Sequence, residues 1–343
     1  MENLEWRTGN SEPANGEASP FARSEFPVPG SRFSVSSSSA AGTAPAPALS
    51  VVVPVHNEAG NVVPLFAEIR AVMTANGRPF EIIFVNDGST DETLAELRTQ
   101  AADHDCLRVL DLDGNFGEAP ALSAGFRAAR GALVITLDGD GQNDPHDIPR
   151  LLDVLERHDY RVVSGWRQQR RQAGFALRVL PSRLANRLIA LVSGLPVHDN
   201  GCGLKIYRRD VVANAALPRG MNRFMPAIFG VKAAEVAEVP VNDRNRQHGE
   251  SHYGVARTLV VLRDLLALRF MMANSQRAER LWSLIAIVAA AVAFYGLWWP
   301  HDVLLLLSSV VVVFALTIWW DLRRFNDARA HGVCRLRREY SAQ

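Results

Sequence analysis

The stretch ALVITLDGDGQNDP (132–145) decides how this chain is read. Its first half, ALVITLD (132–138), is a run of aliphatic and β-branched residues, the pattern of a strand buried on both faces. Its second half, DGDGQNDP (138–145), is turn-forming, and Pro145 stands where a helix would open. Four other runs repeat the strand signature: LSVVVPV (49–55), EIIFV (81–85), LRVLDL (107–112) and RVVSG (161–165). Between them NVVPLFAEIRAVM (61–73) and TLAELRTQAA (93–102) carry apolar residues at helical spacing. Strand–helix alternation predicts an α/β fold built on a parallel, doubly wound sheet. Ligands of such sheets bind beyond the carboxyl ends of the strands. That rule places Pro54 to Glu58, Asp87 and Asp138 to Gln142 along one edge.

Asp138 and Asp140, two apart at a strand's carboxyl end, can put two carboxylates on one hard cation. Oxygen ligands with open positions suit Mg²⁺ or Mn²⁺, and such an ion neutralises a diphosphate leaving group. Asp and Gly are also turn formers, so the pair alone says little. An EF-hand is excluded, because the sixth loop position is Asn143 in place of Gly and the twelfth is Pro149 in place of Glu. No GxGxxG follows a strand and no GxxxxGK[ST] occurs, which removes the dinucleotide and P-loop readings. On the same edge, PVHNE (54–58) and VNDGSTDET (85–93) end the first two strands. Glu58 or Asp87 can accept hydrogen bonds from a nucleobase. The alternative is that Asp87 fills a turn and that Ser89 or Thr90 caps the next helix.

The charge balance, 37 basic against 36 acidic residues, gives no field for a nucleic-acid partner. Cys106, Cys202 and Cys334 show no CxxC spacing, which fits a reducing compartment and no disulfide framework. Residues 1–48 are rich in Ser, Ala, Pro and Gly, a composition expected to stay disordered, and they lack the apolar core of a signal peptide. Near the other end, LWSLIAIVAAAVAFYGLWW (281–299) and VLLLLSSVVVVFALTIWW (303–320) carry no charge. As helices they are roughly 27–29 Å long, against a bilayer core of about 30 Å. Trp282, Trp298, Trp299, Trp319 and Trp320 sit near their ends as an interfacial belt would. Arg277 and Arg280 precede the pair, and Arg323, Arg324, Arg329, Arg335, Arg337 and Arg338 follow it. The positive-inside rule then puts both ends in the cytoplasm, joined by a tight external turn at Pro300-His301-Asp302. The preceding run VARTLVVLRDLLALRFMM (255–272), with Arg257, Arg263 and Arg269 spaced along it, reads as an amphipathic helix on the membrane surface.

VVVPVHNE, VNDGSTDET, GFRAARGALVITLDGDGQNDP and GCGLKIYRR followed by NRQHGESHYG together resemble family-2 glycosyltransferases. Within that family they are similar to dolichol-phosphate mannose synthases and bacterial undecaprenyl-phosphate sugar transferases, over roughly residues 49–272. The resemblance implies a nucleotide-diphospho-sugar transferase (GT-A) domain with a mostly parallel sheet. It implies that Pro54, Glu58 and Asp87 seat the donor nucleoside, and that Asp138, Asp140 and Gln142 hold the metal on the diphosphate. It implies further that Arg246 closes over the diphosphate, and that Arg167, Arg178 and Ser182 grip the acceptor phosphate. Asp199, in HDNGCG, falls where relatives with hydroxyl acceptors carry a base; here it reads as a positioning residue or a structural one. His56 stands where tyrosine is common, Lys205 where arginine is common, and His252 where lysine follows the serine.

The expected domains are therefore a disordered segment (1–48), a GT-A domain (49–254), an amphipathic interfacial helix (255–280), two transmembrane helices (281–321) and a basic cytoplasmic tail (322–343). The expected reaction is inverting transfer of a sugar from a UDP- or GDP-linked donor to a polyprenyl phosphate, at the cytoplasmic face of a cell inner membrane. A lipid phosphate is already anionic and needs no general base, unlike a hydroxyl. Two rival readings are a membrane-bound transferase with a hydroxyl acceptor in polysaccharide synthesis and a catalytically inactive scaffold. The first is weakened by the lack of a QxxRW motif, the second by the intact Asp138, Asp140 and Gln142 set. The sugar, the nucleotide, the lipid length and whether the chain forms a homo-oligomer stay open.

Overall fold

The computed structural model describes residues 46–168, 194–195, 197–244, 256–296 and 302–342. The first strand, β1 (Leu49–Val55), is buried along its whole length. Its alternate side chains enter two separate cores. Val51 and Val53 face one, and Val52 faces the other. A strand wetted on neither face must lie central in a sheet covered on both sides, and β1 does. It pairs in parallel with β2 (Phe80–Asn86) and β4 (Leu133–Thr136), and β2 pairs in parallel with β3 (Leu107–Leu112). Helices α1 (Val62–Asn76), α2 (Thr93–Asp103) and α4 (Ile148–Arg157) lie against the first core. Helix α3 (Glu118–Ala128) lies against the second.

Four strands complete an eight-stranded sheet of order β7-β5-β6-β4-β1-β2-β3-β8. Strand β5 (Val162–Trp166) was expected from the sequence, and β6 (Lys205–Arg208), β7 (Val236–Pro240) and β8 (Leu336–Ser341) were not. Strand β6 runs antiparallel to β4, which brings its first residue, Lys205, opposite Thr136 at the carboxyl end of β4. Short helices α5 (Arg209–Val212) and α6 (Met225–Ile228) follow β6. The expected mostly parallel α/β sheet is present, with β6 and β8 as its antiparallel members.

The C-terminal helices α7 (Ala256–Gly296) and α8 (Asp302–His331) pack along each other. Helix α7 is broken at Asn274 (φ −148°, ψ 92°), whose Oδ1 accepts from the Arg277 amide at 3.0 Å and so caps the second half. The change of direction thus falls at Asn274, ahead of the expected boundary at residue 280. Helix residues 274–295 and 306–330 are long and apolar enough to cross a membrane. Leu284, Ile287, Phe294, Leu306 and Val313 are each more than half exposed, a belt no soluble surface would leave bare. At the other end of the same helices, Ala267, Leu268, Met271, Ile318, Leu322 and Phe325 are buried in the second core, against α3 and α6. The residues expected to form a basic tail do not hang free. They continue α8 to His331 and then return to the sheet as β8.

Candidate active site

The turn after β4 is built around side chains that satisfy its own backbone. Asn143 Oδ1 accepts from the Asp138 amide at 2.9 Å, and Asp140 Oδ1 accepts from the Gln142 amide at 3.1 Å. A Cβ added at Gly139 would meet the carbonyl oxygen of Pro54 at 2.8 Å, so only glycine fits where this turn crosses the end of β1. Gly203 is tighter still, because a Cβ there would lie 2.2 Å from the Asp138 carboxyl. The turn is held from outside by residues 242–244. The Arg244 amide donates to Gln142 O at 3.0 Å and the Asn242 amide to Asp147 Oδ2 at 2.7 Å. Arg244 also bridges Glu68 and Asp144 at 2.6 Å each.

Asp138 opens into a pocket lined by Pro54, Glu118, Thr136, Asn200, Lys205 and Asn222. Burial pushes its carboxyl up to about 7, with Glu118 and Asp140 adding repulsion and Arg167 and Lys205 opposing. Three carboxyl groups, Asp138, Glu118 and Asp140, thus face two cations, Arg167 and Lys205, a surplus that a divalent cation would offset. Lys205 is 2% exposed, and its Nζ donates to the carbonyls of Asn200 and Cys202. Cys202 is no nucleophile, since burial pushes its thiol up to about 11.

Arg167 and Asp199 were expected in separate roles, and the structure joins them. Arg167 Nε and one terminal nitrogen reach the two Asp199 carboxylate oxygens at 2.8 and 3.0 Å, in a pair whose side chains are 5% and 17% exposed. This fork uses two of the five guanidinium N–H donors. Desolvation would raise the Asp199 carboxyl, but the Arg167 hydrogen bonds and charge overcome it and hold it below the usual carboxylate range.

The loops after β1 and β2 are laced together. Asn57, at positive φ (56°), accepts from the Thr90 amide at 2.8 Å, and its own amide donates to Ser89 Oγ at 3.0 Å. Ser89 and Thr90 thus bind the neighbouring loop rather than cap α2; Asp91 Oδ1 takes the Thr93 amide there at 3.0 Å. Glu58 accepts from Asn61 Nδ2 at 2.8 Å. Asp87 is buried, and its two oxygens accept from the Phe116 and Gly117 amides at 2.7 Å each. Its carboxylate thus ties the end of β2 to the start of α3. His56 Nδ1 donates to Asp87 O at 2.9 Å, which leaves Nε2 to accept from Asn115 Nδ2 at 2.9 Å. Arg178, Ser182 and Arg246 lie outside the described residues. Glu118 and Asn222 line the pocket without any motif that marks them in the sequence, and Asn200, in HDNGCG beside Asp199, joins them there.

Breaking a buried ion pair strands its partner, so Arg167→Ala is expected to destabilise the protein by about 3–5 kcal/mol at pH 7. The folded-state pKa of Asp199 is depressed, so its contribution is full above the ordinary aspartate range and is lost as pH falls through the lowered value. Thermal unfolding in detergent should therefore show the wild-type advantage narrowing on acidification. A gap that does not change with pH would show that the pair contributes little.

The family model for glycosyl transferase family 2 matches residues 50–214. A dodecaprenyl-phosphate galacturonate synthase of Rhizobium johnstonii is 40% identical over 71% of this chain and 73% of its own length. An undecaprenyl-phosphate 4-deoxy-4-formamido-L-arabinose transferase of Pseudomonas aeruginosa is 40% identical over 64% of each chain. Among solved structures, glucosyl-3-phosphoglycerate synthase of Mycobacterium tuberculosis, crystallised with Mn²⁺, uridine diphosphate and phosphoglyceric acid, superposes with a TM-score of 0.51. That likeness covers 66% of this chain and 79% of the other at 21% identity, and concerns the fold. With its fold, its Asp138 turn and these relatives agreeing, the chain belongs to glycosyltransferase family 2, in the branch of the polyprenyl-phosphate sugar transferases.

Proposed function

We propose that the chain moves a sugar, with inversion, from a nucleotide-diphospho donor to a polyprenyl phosphate of the undecaprenyl or dolichyl kind. The observation that carries the choice of acceptor is the Arg167–Asp199 pair. A carboxylate held ionised by a bidentate guanidinium has little affinity for a proton, so Asp199 is a poor general base for a hydroxyl acceptor. A phosphate oxygen attacks without one. Among the described residues Arg167 has three N–H donors beyond the pair, and these suit an anionic acceptor.

Asp138 and Asp140, with Gln142 beside them, fit a Mg²⁺ or Mn²⁺ ion, because Asp138 ionises readily only beside added positive charge. A cation bound there supplies the charge that a departing diphosphate needs. Pro54, Glu58 and Asp87, with His56, would seat the nucleoside on the laced loops. Arg178, Ser182 and Arg246 retain the acceptor and diphosphate roles their motifs imply.

We place the chain in the inner membrane with its two spans drawn from residues 274–295 and 306–330, the helix before Asn274 packed on the catalytic domain along the membrane surface, and 49–254 as that domain in the cytoplasm. The support is topological. Strand β8 follows both candidate spans and yet pairs with β3, so the chain crosses an even number of times. On spheroplasts, a membrane-impermeant maleimide should label a His301→Cys variant, and should reach Ser341→Cys only after lysis. Labelling of both before lysis would rule out the hairpin.

The acceptor assignment is tested by Asp199→Asn with undecaprenyl phosphate and a panel of UDP- and GDP-sugars. Removing a general base lowers kcat by about 10²–10⁴-fold. Loss of a positioning carboxylate should lower it by less than ~100-fold and leave the acid limb of the pH profile, where a general base would be protonated, in place. A larger loss, with that limb gone, would return the hydroxyl-acceptor reading.

A further inference from the structure

The chain leaves the sheet after β7, runs out and back through α7 and α8, and returns as β8 on the opposite edge from β7. The return is anchored by side chains as well as by the antiparallel ladder. Arg108 on β3 bridges Glu339 at 2.7 Å and Glu81 at 2.8 Å. Arg98 of α2 lies over the Tyr340 ring at 4.8 Å. Just before β8, the Asp113 amide donates to Arg335 O at 3.1 Å, and Cys334 Sγ lies 3.7 Å from Pro120 O in α3. Arg337 reaches Asp113 O at 3.4 Å and Asp111 at 3.8 Å.

These contacts end where the nucleoside half of the site begins. Residues 113–117 are gripped on one side by β8 and its lead-in, and on the other by Asp87, through the Phe116 and Gly117 amides. Asn115 in the same loop holds His56 and Arg219, at 2.9 and 2.7 Å. A second line runs from Arg337 to Asp111, whose Oδ1 accepts from Asn86 Nδ2 at 2.8 Å, and from Asn86 Oδ1 to the Ser89 amide at 3.3 Å. Both lines link the segment beyond α8 to the loops after β2 and β3.

We propose that the C-terminal strand β8 is a positioning element of the donor site, which couples the membrane hairpin to nucleotide binding. The proposal rests on the reading that Pro54, His56, Glu58 and Asp87 seat the nucleoside. Without β8, the edge of β3 is open and residues 113–117 lose the Arg335 and Arg337 side of their support, keeping the contacts to Asp87, His56 and Arg219. The loop then samples other conformations, and the donor must select the competent one.

The test is full-length protein in detergent against a variant ending at Gly332, with donor KM, acceptor KM and kcat measured separately. Donor KM should rise about fivefold or more, the size that lost hydrogen bonds give, with acceptor KM unchanged. A synthetic peptide of residues 333–343 should restore it. Where the shortened chain does not fold, a Glu339→Pro/Tyr340→Ala double variant keeps the chain complete, and faster amide exchange along β3 reports release of the strand. Released β8 with unchanged donor KM overturns the proposal. His56→Ala separates the two readings. If it raises donor KM while strand release does not, the strand is only structural; if neither does, the nucleoside sits elsewhere.

Discussion

Asp138 is the residue around which this site is arranged. Its carboxyl, in the turn just after β4, lines a pocket where burial, Glu118 and Asp140 all oppose its ionisation. An unpaired charge in such a place is unfavourable by several kcal/mol, so the group either takes a proton or meets positive charge. Lys205 and Arg167 supply part of it, and Arg167 is itself shared with Asp199. The remainder is what a cation and its diphosphate would bring. The glycines fit the same constraint, since any side chain at Gly203 would fall on the carboxylate.

The scaffold makes that arrangement rigid from two directions. Parallel pairing of β1, β2 and β4 brings three carboxyl-end loops to one edge, and the loops are then joined by side chains. The Asp138 turn is held separately by residues 242–244 and the Glu68–Arg244–Asp144 bridges. On the opposite face of the sheet, the bases of α7 and α8 are part of the core, so the catalytic domain has a fixed seat on the helices that carry the exposed apolar belt. That seat suits an enzyme whose acceptor lies in the bilayer while its donor comes from water.

The strands β1 to β5 were legible because burial on both faces leaves continuous β-branched runs, as in LSVVVPV and EIIFV. KIYR and VAEVP were missed because they are short and carry charges, KIYR inside the sheet and VAEVP at its edge. LRREYS was missed for a stronger reason. Three of its six residues are charged and it covers an edge, so it reads as a solvated basic tail. Within the site, Asp138 and Asp140 announced themselves by spacing at a strand's end. Glu118 opens α3, and Asn200 and Asn222 sit on separate loops; only the folded chain brings them to the pocket. Arg167 and Asp199 were each singled out, but 32 positions separate them, and spacing of that length carries no sign of a pair.

The central claim is that a cation-dependent site at Asp138 and Asp140 delivers sugar to a lipid phosphate. It is tested most directly by following radiolabel from UDP- and GDP-sugars into the organic phase with undecaprenyl phosphate. The assay compares Mn²⁺ or Mg²⁺ with a chelator, and the wild type with Asp140→Ala. The account predicts label in the lipid that requires the cation and disappears in the variant. Label that persists in the chelated protein and in the variant would contradict it.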